Sequence, residues 1–578
     1  MPSIEEIRHS LAHLLAAAAL KKYPKTKLGI GPVIENGFYY DFLFTKPITE
    51  EDLKDLEKEM RQLASSHLDF KREKLTALKA KKMFKDQPFK LDLIKEFSSD
   101  KKLLTAYHTG DIFTDLCRGG HVQNTKEINL EGFKLTHLAG AYWKGSEKNP
   151  MLTRIYGLAF SNEKELREHL KMAEEAKKRD HRKLGKDLGL FTIIEEIGSG
   201  LPLFYPKGAI LRRLVENYIT ELQEKNGYVP IWIPHITKGE LYKISGHLDK
   251  YDAMYPPMKL KDEADYYLKP MNCPHFMMLY KSLPHSYREL PIRYTSTTTN
   301  YRYEKSGELT GLTRVRALTQ DDCHVFATTE QIESEINLML DMISKAYQAF
   351  GFKNFWVRIS THDPKNKDKY IGNKKIWEES EAILEKLIKN RGWKHEIGLG
   401  EAAFYGPKLD FILKDVLGRE WQLSTIQLDM NLPKKFELEY AGADGAKKQP
   451  IVIHRAILGS TERFLAILIE HFGGAFPVWL APIQISVIPV SEKHLSYAKK
   501  IASELKNYRV EVSAENETLG KKIRNSELQK IPFTLVVGDK EIAENAVNVR
   551  HYKKGVLGSM PMEKLIKEIS GEIENKLF

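Results

Sequence analysis

Two arginines and an acidic pair within one short stretch carry the clearest chemical signal in this chain. Residues 300–324 read NYRYEKSGELTGLTRVRALTQDDCH, so that Arg302 and Arg314 bracket Ser306, Gly307 and Gly311, while Asp321 and Asp322 stand just before His324. The alternation of Tyr301 and Tyr303 with Arg302 and Glu304 reads as a strand, and the Ser-Gly and Thr-Gly steps read as the turn that reverses it. The expectation is an antiparallel hairpin that carries a guanidinium into a pocket. A planar, permanently charged guanidinium clamps phosphate through paired hydrogen bonds and stabilises charge gathering on a phosphoryl oxygen. A solvated basic hairpin whose arginines only pair with neighbouring acids fits the loop alone equally well.

Metal-ligand chemistry is the second signal. His9 and His13 lie four apart in an Ala/Leu-rich stretch, which should be helical and present both imidazoles on one face. Cys117-Arg-Gly-Gly-His121 repeats the spacing, with glycines that let backbone approach a ligand. Together these could form a zinc set of three nitrogens and one sulfur, or a pair of capped or core histidines. Cys273, His324 and His454, taken as isolated residues, read more readily as structural, Cys273 as a buried apolar thiol.

These groups need a large scaffold. The 578 residues are enough for about three or four domains. A formal net charge of +11 suits a polyanionic partner through counterion release, and suits plain solubility equally. Only Cys117, Cys273 and Cys323 occur, an odd number without framework spacing, which points to a reducing cytoplasm. The apolar run 11–20 is about half of the ~20 residues that cross a bilayer. Glu5 and Glu6 before it and His13 within it are a poor fit to a secretory signal, so a soluble, cytoplasmic protein without membrane attachment is expected.

In chain order, residues 162–186 read as a charged helix, acidic early and basic late, which suits its dipole. A solvated linker is favoured over a dedicated nucleic-acid contact. Residues 211–225 have helical periodicity, and 227–234 read as an extended strand interrupted by prolines. After residue 482 the elements alternate: strand 483–490, helix 495–505, strand 510–512, helix 519–529 and strand 533–537. This implies a small α/β domain with a partly parallel sheet.

The string Tyr-Arg-Tyr-Glu304, Ser-Gly307, Arg-Val-Arg316 and Thr-Gln-Asp-Asp322 resembles motif 2 of class II aminoacyl-tRNA synthetases, and specifically of threonyl-tRNA synthetases. The resemblance spans nearly the whole chain. It implies an α/β multidomain (α+β) architecture: an N-terminal α+β editing domain with its linker helix at 1–178, an antiparallel-sheet class II catalytic domain at 179–478, and a C-terminal α/β anticodon-binding domain at 479–578. Residues 211–234, with Pro234, resemble motif 1, which builds a homodimer interface in such enzymes. Gly459-Ser-Thr-Glu-Arg463 resembles motif 3.

Site roles follow from the resemblance. Arg302 should hold the α-phosphate of ATP, Glu304 read the adenine amino group, and Arg463 lie on the γ-phosphate side, with Arg314 completing the catalytic set and Mg2+ accompanying ATP. Asp322 and Tyr405 should contact L-threonine with help from Gln427, and Gln320, Gln422 and Thr425 should lie near the adenylate. Cys273, His324 and His454 match the ligands of one catalytic zinc. His9, His13, Cys117 and His121 match the domain that hydrolyses tRNA mischarged with serine, with Lys90 and Asp115 as further functional residues. In the family that hydrolysis uses positioned water, whereas the related alanyl domain holds zinc with the same pattern, so metal occupancy of this quartet stays open. His9, His13 and Asp115 are expected to position water and the ester. Gly29 to Asp41 and Ala139 to Trp143 belong to the same resemblance.

The expected activity joins L-threonine to tRNA(Thr) through threonyl-adenylate and hydrolyses seryl-tRNA(Thr). Shape separates threonine from nearly isosteric valine by only about 10². A metal that takes both the amine and the hydroxyl rejects valine, but serine offers both groups and lacks only a methyl, worth on the order of 1–3 kcal/mol. A second, hydrolytic site is then required.

The sequence departs from the family in places. His275 and Phe276 follow Cys273-Pro274 where Gly-His is usual, and Cys323 replaces a usual alanine, so His275 and Cys323 are competing ligands. Family members usually carry a small ubiquitin-like domain ahead of the editing domain; with the first editing histidine at position 9, that domain is expected to be absent. Competing functions are a catalytically silent RNA-binding relative and a class II enzyme charging serine or proline. For the C-terminal domain, a dimerisation module competes with anticodon binding.

Overall fold

The computed structural model describes residues 2–100, 103–261 and 263–577. The chain divides into two compact units, residues 1–174 and 175–578.

The first unit is built on helix Ile4–Lys22, which starts at a Ser3/Glu6 capping box. From Leu11 to Ala19 its side chains are almost all buried, because it is covered on one side by a sheet and on another by helix Asp52–Ser65. The sheet runs Lys27–Leu28, Gly37–Leu43, Met151–Ala159, Phe133–Tyr142, all antiparallel. A second antiparallel sheet, Phe70–Leu75, Leu104–Thr109, Phe113–Leu116, ends beside the helix face that bears the histidines.

The second unit holds an eight-stranded sheet in the order Val229–Pro230, Ile292–Tyr301, Ala317–Ala327, Ile451–Ala456, Glu420–Asp429, Lys408–Lys414, Phe355–Thr361, His395–Leu399. All pairs are antiparallel except the outermost at each edge. Helices Pro206–Glu224, Ile332–Ala349 and Thr461–Phe472 cover one face through a large apolar core, and the other face is left for chemistry. Residues 485–561 form a five-stranded sheet, Val510–Val512, Ile485–Pro489, Phe533–Val537, Ala546–His551, Gly555–Pro561, the first three strands parallel and the rest antiparallel.

Several expectations need correction. The strand expected through Glu304 ends at Tyr301: the Arg302 amide still bonds to Arg316 O, but Tyr303 turns to Ala253 O and Glu304 folds back on Arg302 O. The extended stretch at 227–234 pairs only at Val229–Pro230, since Pro230 and Pro234 offer no N–H to a ladder. The charged helix expected at 162–186 is two helices, Glu163–Arg179 and His181–Asp187, broken where the Asp180 side chain caps the second. The last two strands and helix Met562–Glu574 were not anticipated. Their alternation is blurred by Gly555, Gly558 and the basic turn between them.

Candidate functional site

In the first unit the helical spacing does what was expected of it. His9 and His13 face Cys117 and His121, which sit in the loop after strand Phe113–Leu116, and the donor atoms of all four lie within 4.8 Å of one another. Cys117 Sγ is 3.4 Å from His9 Nε2 and 3.2 Å from His121 Nε2. Burial, then His9 and Lys90, hold His13 well below the ordinary imidazole value, burial likewise lowers His121, and burial pushes the Cys117 thiol up to about 11. At neutral pH the quartet is therefore uncharged.

Beside it lies a buried ion pair. Lys90, from helix Pro88–Ser99, reaches Asp115 Oδ1 at 2.5 Å, Tyr40 Oη donates to Asp115 Oδ2 at 2.6 Å, and His13 Nε2 is 3.8 Å from that same oxygen. A cavity of about 420 Å³ opens onto His9, His13, Lys90, Asp115 and Cys117, with apolar walls from Ile30, Leu93 and Phe97. His121 is not among the residues lining it; its ring stacks on Phe70 at 4.9 Å and on His9 at 4.1 Å. A carboxylate, an ammonium and neutral imidazoles around a mostly apolar cavity can bind and orient water against an ester.

The second unit brings the other predicted residues together on the open face of its large sheet. A cavity of about 500 Å³ is lined by Cys273 and His454 and by Arg302, Arg314 and Arg463. Strand periodicity aligns the floor: Gln320 and Asp322 from one strand and Thr425 and Gln427 from another point into it, with Gln427 and His324 both registered against His454. The chain reverses that carries Arg302 also supplies Glu304.

Cys273 is the first residue of helix Cys273–Lys281, and its sulfur and one ring nitrogen each of His324 and His454 lie within 4.8 Å of one another. His324 is fully buried, and among the described residues neither of its ring nitrogens nor His454 Nδ1 has a hydrogen-bond partner. Orphaned buried nitrogens are costly unless something binds them. His454 Nε2 is 3.0 Å from Asp429 Oδ2, which fixes its proton there and leaves the Nδ1 lone pair facing the cluster. Two imidazoles, a thiol and a carboxylate-oriented tautomer fit a zinc with a free coordination position. Cys323 does not compete: it points to the opposite face, into the apolar core. His275 also stays outside the cluster, while Phe276 stacks on His324 at 4.2 Å.

In the same cavity, Arg463 Nε donates to Thr313 O at 3.0 Å, and Arg302 Nε to Pro270 O at 3.3 Å. Burial, then Arg302 and Arg314, lower the Arg463 pKa, so the cationic groups repel one another across the cavity. Arg314 is tied by Glu304 at 2.7 Å and Glu308 at 2.9 Å. Arg302 and Arg463 have no carboxylate partner among the described residues, and two such guanidiniums lining one cavity are a seat for a polyanion.

Other placements are specific. Asn272 Nδ2 donates to Asp322 Oδ2 at 2.9 Å, and Tyr405 Oη donates to Gln427 Oε1 at 2.7 Å. The Gln320 amide oxygen accepts from Asn300. Gln422 has both ends of its amide occupied, by Arg358 at 2.9 Å and Asp410 at 2.8 Å, and Thr425 Oγ1 donates to Asp410 at 2.6 Å. Sequence reasoning missed Asp410 and His247. Asp410 lies in an apolar strand and is recognisable only from its register against Thr425; His247, on a short helix, offered no signal.

Known proteins place this geometry in context. Residues 258–472 match the tRNA synthetase class II core domain (G, H, P, S and T). Residues 484–572 match an anticodon binding domain, and 104–156 the threonyl and alanyl tRNA synthetase second additional domain. Threonine–tRNA ligase of Rubrobacter xylanophilus is 49% identical over 572 residues, covering 98% of this chain and 88% of that one. The chain belongs to the threonyl-tRNA synthetase family. The threonine–tRNA ligase of Borreliella burgdorferi is 46% identical, over 98% of this chain and 97% of its own. Among solved structures, the RNA binding domain of threonyl-tRNA synthetase from Cryptosporidium parvum is similar, with a TM-score of 0.65, 36% identity and coverage of 68% of this chain and 98% of that one. A prolyl-tRNA synthetase from Giardia lamblia, at 18% identity and a TM-score of 0.56, shares the fold alone.

As a threonyl-tRNA synthetase, the protein has the class II core, the anticodon-binding domain and the editing domain that the sequence led one to expect. Among the described residues no helix is long and apolar enough to cross a membrane.

Proposed function

We propose that this chain activates L-threonine with ATP, transfers it to tRNA(Thr), and hydrolyses seryl-tRNA(Thr) in its first unit. The observation that carries the reading is the shared cavity, lined by Cys273 and His454 of the Cys273–His324–His454 cluster together with Arg302 and Arg463. Arg302 and Arg463 hold the phosphates in line for attack by the threonine carboxylate and balance charge developing on them, together with the Mg2+ that accompanies ATP. Glu304 and Gln320 face the nucleotide, with Gln422 and Thr425 held by Asp410 beneath it. Asp322 takes the threonine ammonium, and the Tyr405–Gln427 pair closes the side-chain end. Cys273, His324 and His454 would hold zinc, which supplies an open position for an amine and a hydroxyl. In the editing cavity, His9 and His13 position water while the Lys90–Asp115 pair orients the ester.

The domains are assigned as 1–178 for editing, 179–478 for catalysis and 479–578 for the anticodon. A homodimer is supported by the edge of the eight-stranded sheet, where Val229 and Trp232 are 55% and 79% exposed. An apolar edge of this kind invites a second copy. Trp232→Asp should convert a dimer to monomers in sedimentation, and a wild type that sediments as a monomer would remove the assignment.

The deciding experiment is amino-acid-dependent pyrophosphate exchange with and without a zinc chelator. Threonine should support exchange and chelation should suppress it. Faster exchange with serine, or background exchange with threonine, would overturn the reading.

A further inference from the structure

Behind the loop that carries Arg302 and Arg314, Asp180, His181 and Glu470 bring their ligand atoms within 4.8 Å of one another, a spacing that could take a cation. Their hydrogen bonds argue otherwise. The Asp180 carboxylate is engaged by Arg182, at 2.8 Å from its backbone N and 2.6 Å from its guanidinium. Glu470 Oε1 accepts from His181 Nδ1 at 2.7 Å and from the His181 backbone N–H at 3.1 Å, and Oε2 pairs with Arg419. His181 Nε2 is 3.1 Å from the backbone N of Leu312. An amide N–H can only donate, so Nε2 carries the lone pair and Nδ1 the proton given to Glu470. Asp180 is closed off by Arg182, and Arg419, Glu470, His181 and the Leu312 amide form a continuous polar chain.

That chain ends on the loop at 302–316. His181 is 3% exposed and Leu312 is fully buried, so the bond between them is sheltered from water. Gly311 makes the approach possible: its φ is +48°, and a Cβ there would sit 2.2 Å from His181 Nε2. Glu470 and Arg463 are seven apart on helix Thr461–Phe472, hence on one face. The same helix therefore grips adjacent loop residues at two points, Thr313 O directly through Arg463 and Leu312 N through His181. Arg314 follows immediately.

We infer that His181 is a positioning residue for adenylate formation, fixing the Leu312 amide and thereby the placement of Arg314 and of the Thr313 carbonyl that orients Arg463. The inference rests on the proposed role of these arginines in holding ATP.

The test compares the full-length wild type with His181→Asn, His181→Gln and Gly311→Ala in threonine-dependent pyrophosphate exchange, alongside thermal melts. Asparagine keeps a donor toward Glu470 and leaves Leu312 without its acceptor; the longer glutamine can put an amide oxygen against Leu312. His181→Asn should raise the KM for ATP about tenfold, as expected for one buried amide left unpaired. The KM for threonine should stay within about twofold, since uniform damage would move both. Glutamine should restore most of the loss, and Gly311→Ala, which separates the same pair by bulk, should reproduce it.

The inference is overturned if asparagine leaves the ATP KM unchanged, if glutamine is as damaging as asparagine, or if both KM values shift together with the melting temperature. Should His181→Asn not fold, Gly311→Ala decides: a folded protein with an unchanged ATP KM overturns it. If the wild type itself shows no threonine-dependent exchange, the functional reading has failed and the positioning role falls with it.

Discussion

Changing Asp429 to asparagine alters one atom's hydrogen-bonding sense at the back of the proposed zinc site. Asp429 Oδ1 accepts from the backbone N–H groups of Asn431 and Leu432, each at 2.9 Å, while Oδ2 faces His454 Nε2 at 3.0 Å. In Asp429→Asn the carbonyl oxygen must stay with the two backbone donors, since an NH2 there would meet two N–H groups. The amide NH2 is thereby pinned toward His454 Nε2. The imidazole can then avoid a donor–donor clash only by moving its proton to Nδ1, the atom that faces Cys273 and His324.

Keeping the zinc-binding tautomer leaves a buried donor unsatisfied, at about 1–3 kcal/mol. With 1.4 kcal/mol per factor of ten, zinc should bind roughly 10- to 100-fold more weakly, the range typical for loss of a carboxylate behind a histidine ligand. The measurement is competition with a chromogenic chelator, read as zinc released and so independent of turnover. Retained folding is checked by melting, because Asn keeps both backbone bonds. Preference for threonine over valine in pyrophosphate exchange should fall in parallel. A variant that holds zinc within about twofold of the wild type would show that Asp429 does not set the tautomer, and the argument from orphaned nitrogens would lose its support.

Arg463→Ala should lower kcat/KM for pyrophosphate exchange by about 10²–10³, as for removal of one preorganised donor to a developing charge. His13→Ala should abolish deacylation of seryl-tRNA(Thr) while leaving threonine-dependent pyrophosphate exchange unchanged, because that chemistry lies in the other unit; loss of both would refute the division. His471 is lowered to about 4, by burial first and then by Arg179. Its folded pKa lies below its unfolded value, so its stabilising contribution is present above about pH 6.5 and is lost as pH falls toward 4. Between pH 7.5 and 5 this amounts to about 2 kcal/mol, an upper bound. Denaturant melts of His471→Gln should show a correspondingly flatter acid limb, and an identical limb would contradict the assignment.

Much of the site was legible where local periodicity carries it. The four-residue spacing of His9 and His13 needed only a helix to place both rings against Cys117 and His121. Period two set Gln320, Asp322 and His324 on one face and turned Cys323 away, which disposes of that thiol as a ligand. Register between distant strands has no such local code. That His324 lies opposite His454 depends on pairing two segments far apart in sequence, and only the resemblance suggested it. The misread strand at Tyr303 and Glu304 shows the converse: alternation persists, but the amides find Ala253 and Arg302 instead of a neighbouring strand. Asp410 was hidden for a similar reason, since it sits in an apolar strand and gains meaning only beside Lys408, Ser360 and Thr425.

The two cavities make chemical sense only as a pair. A metal position that demands an amine and a hydroxyl excludes valine on bonding grounds, yet it meets serine with every bond it offers to threonine. No rearrangement of Tyr405, Gln427 or the Cys273 cluster can create a large penalty for one absent methyl, because the missing contact is worth only about 1–3 kcal/mol. The error must be removed after transfer, where a smaller substrate can be admitted and hydrolysed. The first cavity is suited to that task by a different physics, with neutral imidazoles and a buried Lys90–Asp115 pair in place of a cluster of three arginines. Mutations that impair the quartet should therefore leave charging fast and make it inaccurate with serine, while mutations in the Cys273 cluster should admit valine, an error for which the first cavity provides no hydroxyl-specific remedy.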